Sequence, residues 1–157
     1  MRHEGQIRVK LKSNPIQLYE HQLEALDVLK KMDQHPSFKS ILVIPTGGGK
    51  TLTACWWLLN GALNKRKKVL WLAHRQLLLE QAVKAFELNA YADVMTERLE
   101  FSYRVISGVH QSATMIKPTD DLLIVSKDSL VKNIKQLNRW LKQEKELYVV
   151  VDEAHHA

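Results

Sequence analysis

Two short stretches of the chain hold residues whose types and spacing suit hydrolysis of a phosphoanhydride. The first is Ile44-Pro45-Thr46-Gly47-Gly48-Gly49-Lys50-Thr51, which follows an apolar run and opens a helical pattern. Consecutive glycines let the backbone turn tightly and aim successive N–H groups inward, forming a concave anion nest. The helix that follows adds the positive end of its dipole. Thr46, Gly47, Gly48 and Gly49 supply the cradle, Lys50 can reach the β- and γ-phosphates of ATP, and the Thr51 hydroxyl can ligate Mg2+. The plainer reading is a glycine-rich turn with no ligand. Each glycine loses extra backbone entropy on folding, so three before Lys-Thr call for a reason.

The second stretch is Asp152-Glu153-Ala154-His155-His156, after the apolar run Leu147–Val151. A carboxylate at the C-terminal tip of a parallel strand points into the crevice where α/β sheets take their ligands. Asp152 can hold Mg2+ through water, and Glu153 can orient and deprotonate an attacking water. Alone, the pair reads equally well as an acidic turn. Below a phosphate loop about a hundred residues upstream, it reads as the other half of one site.

The elements that must position these residues are also visible. Five β-rich apolar runs, Ser40–Ile44, Val69–Ala73, Tyr103–Ser107, Leu122–Ser126 and Leu147–Val151, alternate with segments of helical period. Near-continuous hydrophobicity suits strands covered on both faces. Leu18, Gln22, Leu26 and Leu29 share a face of the first helical segment, and Leu130, Ile134, Leu137 and Leu141 share one in the last. The alternation predicts an α/β fold with a mostly parallel sheet and right-handed crossovers. Residues 1–14 carry Arg2, Arg8, Lys10 and Lys12 and read as a basic arm or an edge strand; residues 15–157 read as one domain.

Together the two motifs resemble the DEAD/DEAH-box-like group of superfamily 2 helicases. The spelling Val-Asp-Glu-Ala-His-His-Ala resembles the branch of restriction-enzyme motor subunits of the type III kind. One departure is Ile44, where a generic phosphate loop has glycine; Pro-Thr-Gly in the middle of the loop is how these helicases write it. The resemblance spans roughly residues 15–157 and implies a P-loop NTPase fold of the RecA type. It also implies ATP and Mg2+ as ligands, hydrolysis coupled to movement on nucleic acid, and DNA as the partner. A GTPase would carry a guanine-reading Asn-Lys-x-Asp, and Asn64-Lys65-Arg66-Lys67 has Lys in place of the Asp.

Weaker stretches acquire roles from the same resemblance. Leu18-Tyr19-Glu20-His21-Gln22 is similar to the adenine-reading segment, with Gln22 at the amide position and Tyr19 and His21 departing from the usual Arg and Tyr. A buried amide on an amphipathic helix is the competing account of Gln22. Leu72–Ala82 resembles the turn that grips a nucleic-acid backbone, with His74 and Arg75 as candidates. In Ile124–Leu130, Ser126 keeps the hydroxyl of a similar phosphate-binding motif, whereas Asp128 would repel phosphate and suits a helix N-cap. The run Lys65–Lys68 falls at the edge away from the crevice and reads as solvated charge near a helix C-terminus. Of Trp56 and Trp57, about 100° apart on a helix, at least one belongs to the core.

Composition agrees with a soluble domain. The chain has 157 residues, 45% of them hydrophobic and 25% charged, and a net charge of +6, which permits a polyanionic partner without requiring one. One cysteine excludes an internal disulfide and suits the cytoplasm. No Cys-x-x-Cys points to zinc, and neither a membrane-length apolar run nor a signal peptide is visible. The resemblance further implies a strand carrying Ser-Ala-Thr after the acidic pair and a second RecA-like domain with an arginine finger. Because the sequence ends at Ala157, the expectation is a fragment inactive by itself as a motor, truncated before that strand. The resulting gap in the sheet would be filled by another chain or closed by a shift of the last strand. A nucleotide-dependent switch on the same fold, an RNA helicase, and a non-catalytic binding module remain open alternatives.

Overall fold

The computed structural model describes residues 2–35, 37, 49–108, 113–142 and 146–152. Their elements are β1 (Glu4–Arg8), α1 (Glu20–Met32), α2 (Lys50–Leu58), β2 (Lys68–Ala73), α3 (Gln76–Asn89), β3 (Glu100–Ile106), β4 (Leu122–Ser126), α4 (Lys127–Lys132), α5 (Ile134–Leu141) and β5 (Leu147–Val151). A wider π-helical turn, Leu59–Leu63, prolongs α2. The described strands form one sheet in the order β1-β3-β4-β2-β5. It is parallel except for β1, which lies antiparallel along β3 at the edge. The run Ser40–Ile44 lies outside the described residues, so the sheet is described from the other four runs and the N-terminal arm.

Alternation along the strands builds two cores. Val69, Trp71 and Ala73 of β2, with Leu122 and Ile124 of β4, face α2 and α3. Leu70 and Leu72, with Leu123 and Val125, face α5. Every residue of β2 is buried, as a central strand covered on both sides requires. Helix α3 buries Leu79, Ala82, Val83 and Phe86, a single face of the 3.6-residue period. The Phe86 ring meets Trp71 edge-on at 5.6 Å.

The last helical segment differs from the expected single helix. It breaks at Asn133 (φ −129°, ψ 30°), whose side-chain amide donates to the Ser129 carbonyl at 2.7 Å. The break rotates α5 relative to α4. Ile134 therefore leaves the common face and is 55% exposed, while Leu137 and Trp140 take the buried positions. In the basic run Lys65 and Arg66 are exposed as expected, and Lys68 departs from the solvated state. Lys68 is buried, and its ammonium donates to the carbonyls of Pro118 (2.7 Å) and Trp140 (2.8 Å), the latter at the C-terminal turn of α5. It balances that helix's negative end and lies over the Trp140 ring.

The amino end of the sheet is held by buried charge. Arg104 of β3 donates from Nε to Asp120 at 2.8 Å and also pairs with Glu4, its cross-strand partner on β1. Arg98 donates to Asp121 at 2.7 Å and to the Leu63 carbonyl at 3.1 Å. A buried ion pair stabilises little by itself, but removing one partner strands the other charge. Asp120→Ala is therefore expected to cost about 3–5 kcal/mol in urea denaturation. Glu4→Ala, which removes the half-exposed partner, should cost less than about 1 kcal/mol.

Candidate functional site

The site grows from the carboxyl ends of three adjacent strands. The β2–β4 ladder sets Ala73 opposite Ser126, and the β2–β5 ladder sets Leu72 opposite Val151. Asp152 continues the second ladder, its N–H donating to the Leu72 carbonyl at 2.8 Å. His74 and Arg75, Ser126 and Asp152 thus leave the sheet side by side at one end. Parallel strands have all their C-termini at that end, which is why residues far apart in sequence converge there.

Gly49 and Lys50 stand at the start of α2. Gly49 is its N-cap with φ +78°, the left-handed region that glycine enters without penalty. A Cβ at Gly49 would run into Nε2 of Gln22. The Gln22 side chain is buried, and its Oε1 accepts from the Tyr19 N–H at 2.8 Å across the first turn of α1. Gln22 therefore lies directly against the last glycine of the loop and also holds the start of α1. Lys50 is exposed at the first position of α2 and Thr51 is half-buried beside it. Thr53 returns its hydroxyl to the Gly49 carbonyl at 2.9 Å, tightening the same turn. Thr46, Gly47, Gly48 and Glu153 lie outside the described residues.

The acidic end faces α2. Cys55, in the second turn of α2, is fully buried, and its thiol is pushed well up by burial and then by the Asp152 carboxylate. The charge at the tip of β5 is thus felt on the helix that begins at Lys50. A further connection, invisible to motif reading, ties β5 to both helices. The Tyr148 hydroxyl donates to the Asp33 carboxylate at the C-cap of α1, and its ring meets Trp57 of α2 edge-on at 5.6 Å. Burial and the Asp33 carboxylate together raise the Tyr148 phenol. The alternation in Leu147–Val151 was the available signal, since it puts Tyr148 and Val150 on the face of the larger core. Trp56 and Trp57 are both half-buried against that core.

The candidates for nucleic-acid contact occupy less uniform positions. Arg75 is the N-cap of α3 and is exposed, and His74 is half-buried just before it. Ser126, not Asp128, is the N-cap of α4: its hydroxyl accepts from the Ser129 N–H at 3.2 Å, while Asp128 sits in the first turn. The extended backbone at Ser126 (φ −71°, ψ 149°) is the cap geometry, and it falls where β4 ends, two residues before Asp128. Two residues not singled out by motif join this edge: the Ser107 hydroxyl, just past β3, lies 3.4 Å from Oε1 of Gln76 at the start of α3. Asn64, which opens the Asn-Lys-Arg-Lys string, anchors a loop by accepting from the Glu97 N–H at 2.8 Å.

Residues 15–157 match the family described as "Type III restriction enzyme, res subunit". No curated protein and no solved structure matches the chain.

Two outcomes follow from this geometry. Gly49→Ala is expected to cost about 1–2 kcal/mol from the left-handed backbone alone, and more because Gln22 must leave Tyr19. In urea denaturation, a Gln22→Ala background should remove only the second part. Cys55 should resist a thiol reagent at pH 8 in the native protein and react at once in denaturant. The raised thiol also means that stability present below the ordinary thiol range is lost as pH rises above it.

Proposed function

This chain belongs to the type III restriction enzyme res subunit family, a family of helicase-like, ATP-dependent nucleic-acid motors, and from that premise we propose that it is the ATP-gripping domain of a DNA translocase. The observation that carries the reading is Gly49: a left-handed turn packed against the Gln22 amide, opening a helix whose first residue is an exposed lysine. Such a turn aims backbone N–H groups outward at the positive end of a helix, which fits a chain of phosphates. The Asp152 charge reaching Cys55 supports a carboxylate on the facing side of the same crevice.

In this reading Thr46, Gly47, Gly48 and Gly49 cradle the phosphates, and Lys50 neutralises the β- and γ-phosphate charge that grows as the bond breaks. Thr51 and Asp152 would hold Mg2+, which when bound offsets phosphate charge and orients the tail. Glu153 orients the attacking water and takes its proton. Gln22 reads the adenine edge with its amide nitrogen, its oxygen already holding the Tyr19 N–H. His74, Arg75 and the Ser126 end of β4 meet the nucleic-acid backbone, giving affinity without sequence preference.

The motor cycle needs a second RecA-like domain to close on the same nucleotide and bring an arginine to the γ-phosphate. We accordingly propose that residues 1–157 alone turn ATP over poorly. The reduced buried thiol suits work in the cytoplasm. Among the described residues, no helix is long and apolar enough to cross a membrane.

In the full-length protein, Lys50→Ala is expected to weaken ATP binding by at least about tenfold, the loss of one charge-assisted contact. Glu153→Gln should bind ATP normally in calorimetry and lose hydrolysis by about 100-fold or more, as for a missing general base. Turnover stimulated by DNA supports the translocase. Stimulation by RNA alone would replace DNA with RNA, and stimulation by neither would leave a nucleotide switch.

A further inference from the structure

The exposed faces of the described helices differ in charge pattern. On α1, Glu20, Glu24 and Asp27 are followed by Lys30 and Lys31, and Lys31 pairs with Asp27 at 3.0 Å. On α3, Glu80 and Glu87 flank Lys84. From Lys132 to Lys142 the α4–α5 flank is of one sign. Lys132, Lys135, Arg139 and Lys142 are all exposed, and none forms an ion pair among the described residues. The acid in α4 and α5 is Asp128, in the first turn of α4. Lys135 and Arg139 of α5 and Lys142 at its C-cap follow an i, i+4, i+7 spacing and stand opposite the buried Leu137 and Trp140. They form one row spanning about 10 Å along the helix axis.

The row has a direction and a foot. Helix α4 starts where β4 ends, beside Ser126 at the carboxyl edge of the sheet. Helix α5 runs back over the smaller core until the Trp140 indole donates to the Asp120 carbonyl, at the opposite end of β4. Beside Arg139 the surface dips into a cleft lined by Thr114, Ile116, Pro118, Gln136 and Trp140. The amide of Gln136 stands there next to the guanidinium.

A solvated helix face with cations near its C-terminus is the ordinary explanation of isolated lysines. It does not explain a row of cations that make no ion pair among the described residues and have no acid interleaved, since like charges at this spacing repel and cost stability unless something neutralises them. A polyanion laid along the row does so. We infer that α5 is a second nucleic-acid track: a strand leaving the carboxyl edge near Ser126 continues down this flank, its phosphates meeting Lys132, Lys135, Arg139 and Lys142. The inference rests on the nucleic-acid motor reading and adds a surface outside the strand-tip edge.

The test uses the full-length protein and the triple variant Lys135→Gln, Arg139→Gln, Lys142→Gln, whose ATPase in the absence of nucleic acid should be unchanged. Binding of short and long single-stranded DNA, about 8 and about 25 nucleotides, is titrated across salt concentrations. Each lost phosphate contact lowers the slope of log affinity against log salt by about 0.7, so the variant should lose about 2 on the longer strand and nothing on the shorter. An unchanged slope on the longer strand overturns the track while leaving the motor reading intact. A parent protein that binds neither strand overturns both. Should the triple variant fold poorly, Arg139→Gln alone must still lower the slope on the longer strand by about 0.7.

Discussion

The site depends on β2 being hydrogen-bonded in parallel on both sides. Its ladders to β4 and β5 bring Ser126, His74 and Asp152 to one end of the sheet, although as many as 78 positions separate them in the chain. Parallel pairing leaves no freedom in this respect: once Leu72 faces Val151, the residue after Val151 must emerge beside Ala73, one residue before His74. A slip of one residue in either ladder would turn Trp71 and Val150 to the wrong core, so burial enforces the register that chemistry needs. The salt-linked amino end, with Arg104 on Asp120 and Arg98 on Asp121, ties β3 to the start of β4.

Against that frame the helices are positioned by side chains rather than by backbone ladders. Gln22 touches Gly49 and caps α1 with its oxygen, so the segment that would read a base is joined to the turn that would hold phosphates. Tyr148 links β5 to the far end of α1 and, through Trp57, to α2. The three elements around the crevice are therefore mechanically connected at both ends of α1. Strand β5 gains from this, because Val149 and Val151 are 50% and 38% exposed and contribute less to its anchoring than Tyr148 and Val150 on the other face.

Local sequence rules failed where tertiary contacts competed with them. The Leu130–Leu141 period suggested one helix, but Asn133 found a better partner in the Ser129 carbonyl and split it. Asp128 has the right chemistry for a cap, yet the strand ends at Ser126 and the cap goes where the extended backbone is. Lys68 belongs to a basic run, yet two carbonyls and an indole face make its burial tolerable.

The α/β class, four of the strands, the helical face around Leu29, and the special status of Gly49 could be read from the chain, because period, composition and glycine spacing report local backbone preference. The family also follows from linear motifs. Strand order, the antiparallel edge taken by Glu4–Arg8, the Gln22–Gly49 contact, the Tyr148–Asp33 tether and the one-sided charge of α5 were decided only by the fold. Each of these depends on which distant segments become neighbours, and a one-dimensional pattern carries no term for that choice.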